Sequence, residues 1–307
     1  MASIRRGLRS ILTNVSQRIQ TESNTTVLAG TAASHRCYIL IHSSQPPTEF
    51  PSRISTEIRR SLQLKVTRWG GIVNFSWFAD QPQNIVNRHS ATAFSISGGR
   101  LEIPELSLAN IDEVEEQLKK HVQGPPMQNA HQQVHLYVCT HGARDCRCGN
   151  IGVEVVKALR AEVERRTKID PYGIIGRVKV GEVGHVGGHQ LSCIRLLYAT
   201  EKYSSDMAHG RYAANLLVFP HGEWCVSCST LQWRIWCPNL GTILRLGGLK
   251  PDDVPGVLET IINTTPRPLT PHDPPLAPLH WRGRMGLGKD EQLQLYASYQ
   301  LESGSLS

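Results

Sequence analysis

Two short segments rich in cysteine and histidine constrain this chain most. The first is Val138-Cys-Thr-His-Gly-Ala-Arg-Asp-Cys-Arg-Cys148-Gly149, and the second is Gly184-His-Val-Gly-Gly-His189. Cysteine and histidine are the side chains that bind borderline and soft metals, so two thiols and two imidazoles make a four-ligand set. The sequence therefore predicts a metal or iron–sulfur protein. The candidate ligands are Cys139, Cys148, His185 and His189.

The local patterns place each candidate ligand next to regular secondary structure. An apolar run, residues 135–139, predicts a strand that ends at the first cysteine, and the apolar residues of 151–164 repeat at helical spacing. Residues 178–183 alternate as a short strand before the histidine loop, whose paired glycines let the backbone pass close to a bulky group. We therefore expect His185 and His189 to face one centre.

The residues by themselves leave the identity of that centre open. His-x3-His with two cysteines fits a structural zinc site. The eight residues between Cys139 and Cys148 are more than zinc knuckles use, and a loop of that length can wrap a two-iron cluster. Thiolates would then bind one iron and imidazoles the other, as in Rieske centres, although Rieske motifs interleave the two ligand types. A thiol–disulfide enzyme using Cys139, Cys146 or Cys148 is a third reading, but Cys-x-Cys is not the Cys-x-x-Cys of that chemistry.

These motifs, read with Arg211-Tyr-Ala-Ala-Asn-Leu-Leu-Val-Phe-Pro-His-Gly222, resemble the sucrase/ferredoxin-like family of thioredoxin-like ferredoxins. Within it, they are most similar to the fungal "altered inheritance of mitochondria" branch, over roughly residues 26–289. The resemblance implies a 2Fe-2S cluster ligated by Cys139, Cys148, His185 and His189. It also implies electron transfer or redox homeostasis with a redox partner protein, as an electron carrier or redox sensor rather than a stand-alone enzyme. It gives no ligand role to Cys146.

Composition excludes several other classes of protein. With 40% apolar and 19% charged residues, the 307-residue chain has an ordinary globular composition. Eight cysteines are too few for a disulfide scaffold and favour a reducing compartment. The sequence has no run approaching the roughly 20 apolar residues that cross a bilayer. Four of the seven net positive charges fall within residues 1–20, so the remainder is too weakly basic to predict a nucleic-acid-binding protein.

The first residues have the composition of a mitochondrial targeting segment. Residues 1–20 hold four arginines, three serines and no acid, and their apolar residues fall on one helical face. We therefore expect residues 1–21 to be a presequence and the protein to be mitochondrial. The alternative is an amphipathic helix lying on a membrane surface.

The C-terminal half is predicted to run strand, helix, strand, hairpin and a closing helix over residues 254–263, and the N-terminal half includes a short helix over 54–64. This order of elements indicates an α/β protein in which a thioredoxin-like ferredoxin domain follows a smaller α/β domain. We assign residues 22–124 to the N-terminal α/β domain and 134–264 to the ferredoxin domain. Six prolines between Thr264 and Pro278 predict that the chain leaves the domain there, as a Pro-rich tail over 265–307. The basic-aromatic segment 280–286 of this tail could dock on a partner or pack its tryptophan against its own domain. Segments 191–210 and 225–246 depart from the family pattern, and we interpret both as inserts derived from retained introns.

Overall fold

The computed structural model describes residues 28–80, 89–96, 99–124, 133–187, 214–219, 244–264 and 273–304. Its strands are β1 (Cys37–His42), β2 (Gly71–Trp77), β3 (His89–Ser95), β4 (Gly99–Leu106), β5 (Val134–Cys139), β6 (Val178–Val183), β7 (Leu216–Phe219), β8 (Leu244–Leu246) and β9 (Trp281–Arg284). Its α-helices are α1 (Glu57–Thr67), α2 (Ile111–Gln123), α3 (Val153–Ile169), α4 (Val254–Asn263) and α5 (Lys289–Gly304). The predicted α/β class is confirmed.

Within the described residues the strands form one sheet in the order β4-β3-β1-β2-β6-β5-β7-β8-β9. In the C-terminal half, β5 and β6 are parallel around α3, β7 and β8 follow as antiparallel strands, and α4 closes the unit. This is the strand–helix–strand, hairpin and helix order that the sequence predicted. The N-terminal half, β1 to α2, repeats the same order and the same pairing. The division into two domains stays a prediction, because the two halves share one sheet.

The halves meet along a short antiparallel contact between β2 and β6. Its register pairs Ser76 with Val183 and Trp77 with Glu182. Both strands are the outermost parallel strand of their own half, so this short contact joins the two halves into one sheet. The junction also brings the end of β6, where the histidine loop begins, against the N-terminal half.

The sheet curls strongly around an aromatic interior. Tyr38 on β1 and Phe219 on β7 are separated by three strands, which in a flat sheet is roughly 19 Å at the usual strand spacing. Their ring centroids lie only 6.2 Å apart, and Phe94 on β3 stacks on Phe219 at 3.8 Å. This interior cluster comprises Tyr38, Leu40, Phe94, Tyr137, Cys139, Cys148, Val183, Val186, Leu217, Phe219 and Met285. Both candidate cysteine ligands therefore lie at the inner core shared by the two halves.

The helices cover the outer face of the sheet. In β1 the odd-numbered residues pack with α1 and α2, while Tyr38 and Leu40 point into the interior cluster, as strand alternation requires. In α1, Ile58, Leu62 and Val66 are buried at four-residue spacing, and Thr56 caps the first turn by accepting a hydrogen bond from the Arg59 amide at 3.3 Å. α3 and α4 pack on β5 to β8 in the same way.

The C-terminal tail differs from the tail that the sequence predicted. The chain returns to the sheet as β9, where Arg284 pairs with Leu244 of β8, and then forms α5. Trp281 is fully buried in the core of the C-terminal half, and the Arg282 guanidinium binds Asn215 and Thr31. The prediction that the chain leaves the domain is therefore wrong for residues 281–304, because the apolar and hydrogen-bonding residues after the prolines outweigh the break that the prolines cause.

The second predicted insert also needs correction. Leu244, Arg245 and Leu246, which end segment 225–246, form β8 and are buried between β7 and β9. These three residues belong to the core and not to an insert. The predicted presequence, segment 191–210 and residues 225–243 lie outside the described residues. In the part of the chain that is described, no helix combines the length and apolar character that a membrane crossing needs.

Candidate metal centre

The structure brings three of the four candidate ligands together. Cys139 ends β5, and Cys148 begins a single π-helical turn, Cys148–Gly152, that leads into α3. His185 follows β6, whose last residue, Val183, pairs with Cys139. Because β5 and β6 are parallel neighbours, their carboxyl ends meet at one edge of the sheet. The ligand atoms of Cys139, Cys148 and His185 all lie within 4.8 Å of one another.

The fourth candidate, His189, lies outside the described residues. The two thiols are fully buried, whereas His185 is partly exposed. The site therefore has a buried cysteine side and a more accessible histidine side.

Glycines let the cysteine loop fold back on itself. A Cβ atom on Gly149 would lie 2.6 Å from the Cα atom of Gly142, and one on Gly152 would lie 2.3 Å from the carbonyl oxygen of Cys139. Real Cβ contacts are longer than this, so these backbone approaches require residues without a side chain. The two cysteines can therefore meet although eight residues separate them.

A buried carboxylate orders the same loop. Asp145 accepts hydrogen bonds from the backbone amide of Arg147 at 3.1 Å and from its guanidinium at 2.7 and 2.9 Å, and the Cys148 amide donates to the Asp145 carbonyl at 2.9 Å. Arg147, and not its neighbour Arg144, is therefore the partner of Asp145, and the Arg144 side chain is exposed.

The Cys139 thiol favours the protonated form of its neighbour Cys148. A hydrogen bond with Cys139, followed by burial, raises the pKa of the Cys148 thiol well above its usual range. Two thiolates side by side in a dry core would repel each other. A bound cation reverses this preference, because thiolates are the ligand form of cysteine and metal binding releases their protons.

The histidine loop is held by residues of the other half of the protein. The Asn74 side chain, on β2, donates a hydrogen bond to the Gly184 carbonyl at 3.0 Å. His141 joins both halves, since its Nδ1 accepts from the His185 amide at 3.4 Å and its Nε2 donates to the Pro51 carbonyl at 3.0 Å. Burial lowers the pKa of His141, which favours the neutral ring that these two bonds require. His141 thus bonds the loop and is not one of the three clustered candidate ligands.

Asn74 is the residue beside this candidate site that the sequence patterns did not indicate. The sequence does contain a signal for Asn74, because this asparagine interrupts the apolar strand Ile72-Val-Asn-Phe75, where the structure buries it. A polar side chain in such a strand needs a partner, and this partner is the histidine loop. Only the three-dimensional contact identifies it.

We expect Asn74→Leu to loosen the histidine loop. The substitution keeps the approximate size but leaves the Gly184 carbonyl without this donor, so the free energy of unfolding should fall by about 1–3 kcal/mol. A bound metal should also be lost to a chelator faster than from the unaltered protein. Thr92→Val is the matched control, because Thr92 is an equally buried polar strand residue whose hydroxyl bonds to Glu102. Equal chelation rates for the two variants would contradict the role of Asn74.

Comparisons with known proteins agree with the fold and the motifs. A family model described as "Sucrase/ferredoxin-like" matches residues 28–283. Altered inheritance of mitochondria protein 32 from Eremothecium gossypii is 39% identical over 64 residues, which is 21% of this chain and 17% of that protein. The similarity thus spans less than a fifth of that relative's length. No solved structure matches this chain.

Proposed function

Because this chain belongs to the sucrase/ferredoxin-like family, we propose that it holds a 2Fe-2S cluster on Cys139, Cys148, His185 and His189 and serves in electron transfer or redox homeostasis. The observation that carries this proposal is the buried Cys139–Cys148–His185 group, with ligand atoms within 4.8 Å. The donor set fits the group, since two thiols and an imidazole are ligands of mixed cysteine–histidine clusters. His189 enters from the sequence motif alone.

When bound, such a cluster supplies reversible one-electron chemistry. The chain's own residues set its surroundings. The aromatic interior excludes water from Cys139 and Cys148, while Asn74 and His141 hold the histidine loop in place. Because His185 is the more exposed ligand, we expect a redox partner protein to dock on the histidine side.

A structural zinc site is the second candidate. It is favoured by the compactness of the three donor atoms, since ligands of a single tetrahedral ion also lie this close together. A thiol–disulfide enzyme fits less well. Cys139 and Cys148 are fully buried and the pKa of Cys148 is raised, whereas nucleophilic cysteines are partly exposed with a lowered pKa.

Metal analysis of the purified full-length protein separates these functions. We expect about two irons and two acid-labile sulfides per chain, with a visible absorption that dithionite bleaches. Colourless protein with one zinc per chain would replace the cluster with a structural zinc site. Protein without bound metal but with reactive thiols would overturn both.

We also propose that the protein acts in mitochondria. Residues 1–21 carry the arginine-rich, acid-free amphipathic pattern of a presequence, and the Eremothecium relative is named for mitochondrial inheritance. Removing residues 1–21 should abolish import into isolated mitochondria. Replacing the arginines of that segment with lysines, which preserves its charge, should reduce import much less. Undiminished import of the truncated chain would contradict the proposal.

A further inference from the structure

A cavity of about 440 Å³ opens beside the candidate metal centre, between the two halves of the protein. Arg53 and Arg59 line it from the N-terminal half. Arg144, His141 and His185 line it from the C-terminal half. A concave site of this volume is in the range that small molecules occupy.

The charge of the cavity is one-sided. Three guanidinium groups line it, and no carboxylate does so among the described residues. Its other polar lining groups are imidazole, amide and hydroxyl groups. The three arginines around the cavity repel one another. The cavity therefore has a positive potential, which a bound anion would neutralise.

Of the three arginines, Arg59 has the least favourable surroundings for its charge. It is the third residue of α1, and the positive end of the helix dipole disfavours a cation in the first turn. Its Nε atom is buried and has no hydrogen-bond partner among the described residues. Burial also lowers the pKa of its guanidinium, which means that its surroundings disfavour the charge. A buried donor without an acceptor is costly, and a ligand oxygen at this position would satisfy it.

We propose that this cavity binds a small dianion bearing carboxylate or phosphate groups, with Arg59 as its principal anchor. The guanidinium fork pairs with either group through two parallel hydrogen bonds, so both belong to the class of ligand. The cavity is open on one side, and its volume of about 440 Å³ suits a small molecule. His185 is a wall of the cavity, so the bound anion lies next to the candidate metal centre. The inference goes beyond the proposed function and does not depend on which metal the centre holds.

Calorimetric titration of the purified full-length protein tests this site, with inorganic phosphate and succinate as the two probes. We expect saturable binding of at least one probe. Arg59→Gln should weaken it by about tenfold or more, since a hydrogen bond to a charged group contributes that much. Arg60→Gln is the matched control, because Arg60 is the next residue of α1, is exposed, and does not line the cavity. Its affinity should equal that of the unaltered protein.

Arg53→Gln gives an independent variant, since Arg53 is exposed and its replacement leaves the core intact. It should also weaken binding if the cavity is the site.

Binding of phosphate alone or succinate alone would each support the proposal and define the ligand group. No saturable binding of either probe below about 10 mM would overturn it. Equal weakening by Arg59→Gln and Arg60→Gln would do so as well, since that result indicates general surface charge. Protein that carries zinc instead of a cluster should still bind the anion, so failure of the metal assignment is separable from failure of this site.

Discussion

Alanine in place of Cys139 or Cys148 is expected to reduce the iron and sulfide of the purified protein to background. A methyl group cannot donate electrons to iron, and among the described residues the interior cluster holds no other cysteine beside the two candidate ligands. Each substitution should remove the cluster completely rather than weaken it, because one of two thiolate ligands is lost. Iron, sulfide and visible absorption measure the effect.

Cys37→Ala is the matched control for both substitutions. Cys37 is also a fully buried cysteine on a strand, but it packs against α1 and α2 on the outer face of β1. Its replacement removes one buried sulfur and should leave iron and sulfide content unchanged. Full iron and sulfide in Cys139→Ala or Cys148→Ala, with circular dichroism showing folded protein, would refute the assignment of that residue.

Trp281→Ala is expected to lower the free energy of unfolding by about 3–5 kcal/mol. Trp281 is fully buried in β9, within the core formed by α3, α4 and β5 to β8, and its ring lies parallel to that of Tyr296 on α5 at 6.2 Å. Removing it leaves a cavity and separates α5 from the sheet. Small domains are stable by about 5–15 kcal/mol, so this single change should remove a large part of the stability. Chemical denaturation followed by circular dichroism measures it.

Tyr172→Ala provides the comparison, because Tyr172 is 92% exposed and should change stability by less than about 0.5 kcal/mol. An equally small effect of Trp281→Ala would mean that β9 and α5 do not belong to the core. The sequence alone would then have been right that the chain leaves the domain after Thr264.

The sequence by itself determined the local setting of the metal centre. The strand that ends at Cys139 is mostly apolar and is followed by helical spacing, and both features depend on neighbours a few residues away. For the same reason α4 matches its prediction, residues 254–263, at both ends. Where two local signals compete, the observed end of a helix differs from the predicted one. The helix predicted over 54–64 begins at Glu57, because Thr56 supplies the cap.

Only the tertiary structure decided what surrounds that centre. Asn74 binds the Gly184 carbonyl across 110 residues of sequence, and His141 binds the Pro51 carbonyl across 90. The cavity that Arg59 lines and the return of β9 to the sheet depend on the same long-range packing. Such contacts follow from the joining of β2 to β6 and from the curl of the whole sheet. Periodicity reports which face of an element is buried but not which distant element covers it, so the sequence predicted the candidate ligands, and the fold brought three of them together and supplied the residues that hold the histidine loop.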